Sequence, residues 1–135
     1  MKHWVGIIMV FVAGIAGAQK YPERPVRLVV GYPPGGPTDF VARAYAGRMT
    51  ELLAQQMVVD NRPGAGTVIA NEMIARSVPD GYNLLFATGG GTYLAPLILP
   101  KVPYDPHKDY ATVAMLVISP QVLVTHPSEI GRAHV

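Results

Sequence analysis

The sequence has the composition of a folded, turn-rich domain with a hydrophobic core. It contains 135 residues, of which 50% are apolar and 15% charged, and its 14 glycines and 13 prolines stay below the share typical of disordered chains. The 11 basic residues form no cluster, which excludes nucleic acid as a partner, and the absence of cysteine excludes disulfides and a lipid-modified cysteine anchor.

The first segment has the order of a secretory signal peptide. Positive Lys2 precedes an apolar run from Trp4 to Ile15, and Ala16-Gly17-Ala18 has the small-x-small pattern of a cleavage site. The run is shorter than the roughly 20 apolar residues needed to cross a bilayer. We therefore expect residues 1–18 to be removed, leaving a periplasmic protein that begins at Gln19 and is not inserted in the membrane.

Three strand–loop–helix units follow in the mature chain. The β-branched run Val26–Val30 predicts a strand, and a helix is expected from Thr38 to about Gln55. Met57–Val59 predicts a second strand, followed by a helix over Thr67–Ser77, and Tyr82–Ala87 predicts a third strand that leads into a short helical stretch. This alternation indicates an α/β fold, with a parallel sheet covered by helices on both faces.

Apolar periodicity predicts which helical side chains face the sheet. In the first helix these are Val41, Ala44, Tyr45, Met49, Leu52 and Leu53. In the second helix they are Ile69, Met73 and Ile74. Two later apolar stretches, Val113–Ile118 and Val122–Thr125, resemble strands that leave this layer toward another domain.

The loops after the three strands carry the candidate site. Carboxyl ends of parallel strands share one edge of a sheet, so loops 31–37, 61–66 and 88–92 should converge there. Gly35 and Gly36 allow close approach of the backbone to a ligand, and the helix beginning near Thr38 presents free amides and a partial positive charge. An anionic ligand is therefore expected at this edge.

Several side chains in these loops have two interpretations. Tyr32 either contacts a ligand or packs in the core, and Asp39 either contacts a ligand or simply favours the helix N-terminus. Thr88 and Thr92 flank three glycines, which favours ligand contact, although a flexible turn has a similar composition. The candidate ligand-binding residues are Tyr32, Pro33, Gly35, Gly36, Pro37, Thr38, Asp39, Thr88, Gly89, Gly90 and Thr92.

Catalytic and cofactor motifs are incomplete. Gly64–Ile69 resembles the start of a dinucleotide fingerprint, but Ile69 stands where the fingerprint requires Gly or Ala. There is no Gly-x-Ser-x-Gly sequence, and His107 and His126 are isolated from other metal-ligating residues. We therefore expect no enzymatic activity, no metal and no cofactor.

Five motifs together resemble one family, the periplasmic solute-binding proteins of tripartite tricarboxylate transporters, also called Bug proteins. The resemblance covers nearly all of residues 20–127. The motifs lie at Tyr21–Pro25, Val30–Asp39, Val58–Gly66, Pro79–Leu85 and Lys101–Pro106.

The resemblance implies a two-domain Venus-flytrap binder. Residues 19–127 would be its N-terminal ligand-binding domain, the second domain being missing from this chain. The loops at Tyr32–Asp39 and Thr88–Thr92 would hold one end of a carboxylated ligand. Gly89 and Ala95 depart from the Ser and Asn often found at these family positions, which implies fewer polar contacts.

The function implied by this resemblance is capture of a small organic carboxylate for delivery to the membrane subunits of a tripartite transporter. The alternative is a periplasmic sensor that presents its carboxylate to a signalling partner. A neighbouring gene for the membrane subunits would favour transport.

The last residues do not continue the family pattern. Glu129–Val135 reads as an in-frame translation of a common short-read sequencing adapter, so we hypothesise that residues 128–135 are not native. Resequencing the locus is expected to replace this heptapeptide with a different continuation. A genomic sequence that keeps it before a natural stop codon would contradict the hypothesis.

Overall fold

The computed structural model describes residues 21–120 together with Val122, Val124 and His126. The expected signal peptide and the tail at 128–135 lie outside these residues. The elements are strands β1 (Val26–Val30), β2 (Met57–Asn61) and β3 (Asn83–Phe86), helices α1 (Pro37–Leu53), α2 (Val68–Ala75) and α3 (Ala95–Ile98), a 3₁₀ turn at Ala65–Thr67 and a π-helical turn at Gly90–Leu94. The predicted alternation of strands and helices is confirmed.

The three strands form one parallel sheet in the order β2-β1-β3. Central β1 is almost fully buried, and its last residue, Val30, lies opposite Asn61 of β2 and Phe86 of β3. All three strands therefore end level, and the loops that follow them leave from the same edge of the sheet. The α/β fold and the convergence of these loops were both predicted correctly.

Helix α1 covers one face of the sheet. Pro37 occupies its first turn, where a missing N–H costs nothing, and Ala42 and Ala46 pack against alternate β1 side chains. Met49 and Leu53 contact the same core, as predicted, but Ala44 is exposed and Leu52 is 64% exposed. The predicted face was thus partly wrong, because small alanines let the helix lie close to the sheet while longer side chains flank the contact.

Helix α2 lies on the opposite face of the sheet. A Cβ added at Gly31, directly after β1, would lie 2.7 Å from Thr67 Cβ and 3.3 Å from Ala70 Cβ. This close approach leaves room only for small side chains, and Ala70 and Asn71 are the buried residues of α2. Ile69 is 48% exposed, so the prediction that it faces the sheet was wrong.

The apolar segment at 113–118 is not a strand. It has no regular secondary structure, and every residue from 111 to 120 is exposed. A strand needs a neighbouring strand to bond its backbone, and within the described part of the chain this segment has none. The segment is linked to α1 by a hydrogen bond of 2.7 Å, which the Tyr45 hydroxyl donates to the Leu116 carbonyl. For the second predicted strand, residues 122 and 124 also lack secondary structure, and 123 and 125 lie outside the described residues.

Thr67 is the point at which the three loops meet. It precedes α2, has a left-handed backbone (φ 78°) and is only 6% exposed. Its side chain fills the space beside Gly31, from the loop after β1, and beside Gly91, from the loop after β3. A Cβ at Gly91 would collide with Thr67 Oγ1, so the loops can approach this closely only with glycine at 91.

We expect Gly91→Ala to lower the free energy of unfolding by about 1–3 kcal/mol, the usual cost of overpacking a well-packed site. Gly90→Ala is the matched control, because a Cβ at Gly90 meets no atom within 4 Å. The control should change stability by less than about 0.5 kcal/mol. Urea unfolding of both variants measures the difference, and equal losses would contradict this packing.

Candidate functional site

The first turn of α1 opens on the shared edge of the three loops. Gly36 is its N-cap, with φ −81° and ψ 170°, and no side chain caps the helix. The first-turn amides of a helix lack intrahelical acceptors and carry a partial positive charge, which suits an anion. Around them Pro33, Gly35 and Pro37 are exposed, and Gly36 and Thr38 are half-buried.

Asp39 belongs to this first turn and carries a buried carboxylate; the residue is only 3% exposed. Its Oδ2 accepts hydrogen bonds of 2.9 Å from Arg43 Nε and from the Gly35 amide, and its Oδ1 accepts one of 2.8 Å from Asn61 Nδ2. These bonds, from Arg43 first, then Gly35 and Asn61, lower the pKa of Asp39 from 3.8 to about 2. The side chain is thus ionised and fully engaged within the protein.

Asn61 and Arg43 complete the arrangement around Asp39. Asn61 Nδ2 also donates to the Tyr32 carbonyl at 3.1 Å, and Arg43 Nη2 donates to Asn61 Oδ1 at 2.9 Å. Asn61 is the last residue of β2, and Arg43 lies one turn after Asp39 on α1. Two elements therefore fasten the loop between β1 and α1 at both of its ends.

The loop after β3 contacts the first loop through hydroxyl groups. Tyr32 Oη and Thr88 Oγ1 are 3.0 Å apart, and both residues are half-buried. Gly89 and Gly90 follow; both are exposed, and no atom lies within 4 Å of a Cβ built at either position. This part of the edge is open to a ligand.

Thr92 lies behind this surface. It is 2% exposed, and its hydroxyl donates to Asn71 Oδ1 at 3.0 Å, while Asn71 Nδ2 donates to Thr67 at the junction of the loops. Tyr104 donates to the Gly91 carbonyl at 2.6 Å and fixes the same loop from below. Thr92 therefore supports the edge from the core, unlike the nine candidate residues that are exposed or half-buried.

Sequence reasoning missed the residues that support the site, chiefly Arg43, Asn61, Thr67 and Asn71. A signal existed for Asn61, since a polar side chain at the end of a parallel strand lies at the binding edge. Nothing in the sequence pairs it with Asp39, 22 residues earlier.

Solved structures with similar folds are periplasmic binding proteins. MatC from Rhodopseudomonas palustris with bound malate superposes with a TM-score of 0.63 at 38% identity, over 66% of this chain and 30% of that one. A second Rhodopseudomonas palustris protein, with adipate, gives 0.62 at 38% identity over 64% and 29%. The periplasmic binding protein BugD gives 0.53 at 41% identity over 66% and 29%. The fold is thus an α/β fold that matches about 30% of the length of these periplasmic binding proteins.

The family model for the tripartite tricarboxylate transporter family receptor matches residues 41–130, so the chain belongs to that family. Among curated relatives, BugT of Bordetella pertussis is 40% identical over 133 residues, which is 94% of this chain and 41% of BugT. The chain therefore spans about two fifths of that relative's length.

None of the helices in the described part of the chain has the length and apolar character needed to cross a membrane. No group of three or more His, Cys, Asp or Glu residues is placed to hold a metal ion within residues 21–120 and the three described positions beyond.

The lowered pKa of Asp39 predicts an acid-sensitive part of the stability. Because the folded state favours the ionised carboxylate, this stabilisation is complete above about pH 4 and is lost as the pH falls through about 2. Asp39→Asn cannot titrate, so it should be less stable than the wild type at pH 7 and lose less stability between pH 4 and 2. Urea unfolding from pH 7 to 2 measures this, with Glu23→Gln at an exposed position as the control. Parallel curves for the wild type and Asp39→Asn would contradict the assignment.

Proposed function

We propose that the protein binds a small organic carboxylate outside the cytoplasm and delivers it to the membrane subunits of a tripartite tricarboxylate-type transporter. The observation that carries this proposal is the uncapped N-terminus of α1, which opens where three loops meet at the carboxyl edge of the sheet. A carboxylate there would accept hydrogen bonds from first-turn amides and interact favourably with the helix dipole.

The family and its solved members support the same chemistry. The family is named for receptors of a tricarboxylate transporter, and two similar structures contain malate and adipate, both carboxylates. We propose that the ligand contacts lie at Tyr32–Thr38 and Thr88–Gly90, with Asp39 contributing its backbone amide and Thr92 support from the core. The ligand would be bound and released unchanged, without catalysis.

The proposed organisation follows the family. Residues 1–18 would direct export to the periplasm, and residues 19–127 would form the first of two lobes that close on the ligand. Residues 128–135 would not belong to the native protein. Since the chain spans about two fifths of BugT, the tests below use the complete reading frame.

The direct test is thermal unfolding of the mature protein with malate, adipate, citrate, glutamate and benzoate. At about 100 times the dissociation constant a ligand stabilises by about 2.7 kcal/mol. At about 2–4 °C per kcal/mol this raises Tm by roughly 5–11 °C in a protein of 150–250 residues and by less in a larger one. We expect one or two of these acids to raise Tm, while their uncharged amides do not. No shift with any acid would contradict carboxylate capture.

The position of the anion is tested at Gly36. A Cβ there would lie 3.7 Å from the Pro33 carbonyl, an ordinary contact, and the backbone has the extended conformation that capping residues adopt. Gly36→Asp should keep or slightly raise stability but weaken acid binding at least about tenfold, because like charges placed together cost several kcal/mol.

Gly36→Asn is the matched control for that variant, since its side chain caps the helix without a charge. It should weaken binding much less than Gly36→Asp. Titration calorimetry with the acid that shifts Tm measures both affinities. Equal affinities for the Asp and Asn variants would place the anion elsewhere.

A further inference from the structure

Three side chains on two elements form a closed hydrogen-bonded triangle below the binding loop. Asp39 bonds Arg43 at 2.9 Å and Asn61 at 2.8 Å, and Arg43 bonds Asn61 at 2.9 Å. The triangle reaches the loop at two points, through the Tyr32 carbonyl and the Gly35 amide. Between these points lie Pro33 and Pro34, whose rings fix their φ angles.

We propose that Asp39, Arg43 and Asn61 act as a loop clamp, which holds residues 32–35 in the shape that binds a carboxylate. Within this clamp, Arg43 neutralises the buried negative charge of Asp39. The proposal rests on the proposed function. The three residues are positioning residues, since their hydrogen bonds are made within the protein.

Asp39 carries its charge in the same helical turn at which the anion would bind. A buried carboxylate in the first turn of α1 would repel an anion bound at the same turn and would cancel the favourable helix dipole. Arg43 offsets this charge by an ion pair at 2.9 Å. Arg48 and Glu51, about two turns beyond Arg43 on α1, form an ion pair with each other.

The binding test uses the complete protein and titrations of malate, adipate and citrate. Arg43→Gln leaves Asp39 uncompensated and should weaken acid binding at least about tenfold. Asp39→Asn/Arg43→Gln removes both charges but keeps side-chain amides that can hydrogen-bond the Gly35 amide and Asn61, so it should return affinity to within about threefold of the wild type. Arg48→Gln is the matched control and should bind like the wild type.

These variants separate charge compensation from a merely structural role. If Arg43 only held the fold together, the double variant would bind as weakly as Arg43→Gln or more weakly. That result, or an Arg43→Gln affinity equal to that of Arg48→Gln, would overturn the neutralising role.

Hydrogen exchange at the Gly35 amide tests the positioning role without any ligand. In the wild type this amide, bonded to Asp39 at 2.9 Å, should exchange at least about tenfold more slowly than in Asn61→Ala, which removes two of the three sides of the triangle. The Gly35 amide should keep its protection in Arg48→Gln.

The binding titrations and the hydrogen-exchange measurement test the proposed function and the positioning role separately. If no acid binds the wild type but Gly35 protection depends on Asn61, the proposed function fails and the positioning role stands. If acids bind and Gly35 exchanges equally fast in the wild type and Asn61→Ala, carboxylate capture stands and the clamp is overturned.

Discussion

The level ending of the three parallel strands is the constraint on which the rest of the structure depends. Val30, Asn61 and Phe86 lie in one row across the sheet, so each following loop begins at the same height. A displacement of either outer strand would move Asn61 away from Asp39, or Thr88 away from Tyr32. The hydrogen bonds of the site therefore depend on strand register.

Close packing and polar satisfaction then fix the loops to one another. Thr67 occupies the space that Gly31 and Gly91 leave free, and the buried hydroxyl of Thr92 is satisfied by Asn71. Within the described residues no buried side-chain nitrogen or oxygen lacks a hydrogen-bond partner. Because an unsatisfied buried group costs about 1–3 kcal/mol, this network specifies one arrangement of the edge.

The sequence was sufficient for properties that depend on local pattern. Strand positions, the glycine loops and the shared edge follow from β-branched runs, turn residues and the geometry of parallel sheets. Which face of α1 is buried did not follow, because alanines at 42 and 46 compete with a longer apolar stripe and only the distance to the sheet decides. The strand predicted at 113–118 failed for a related reason, since its backbone partners are not encoded in its own residues.

Asp39 shows most clearly what the sequence leaves open. Its position in a first helical turn is compatible with a simple helix-dipole effect and with ligand contact, and nothing nearby in the sequence decides between them. The partners that decide are Arg43, one turn away, and Asn61, which only the fold brings within 2.8 Å. Once both are in place, the carboxylate ties the loop between β1 and α1 to the end of β2 while its charge is paired with Arg43. The proposed anion site can therefore include an acidic residue, because that residue serves the backbone geometry and its charge is balanced one helical turn away by Arg43.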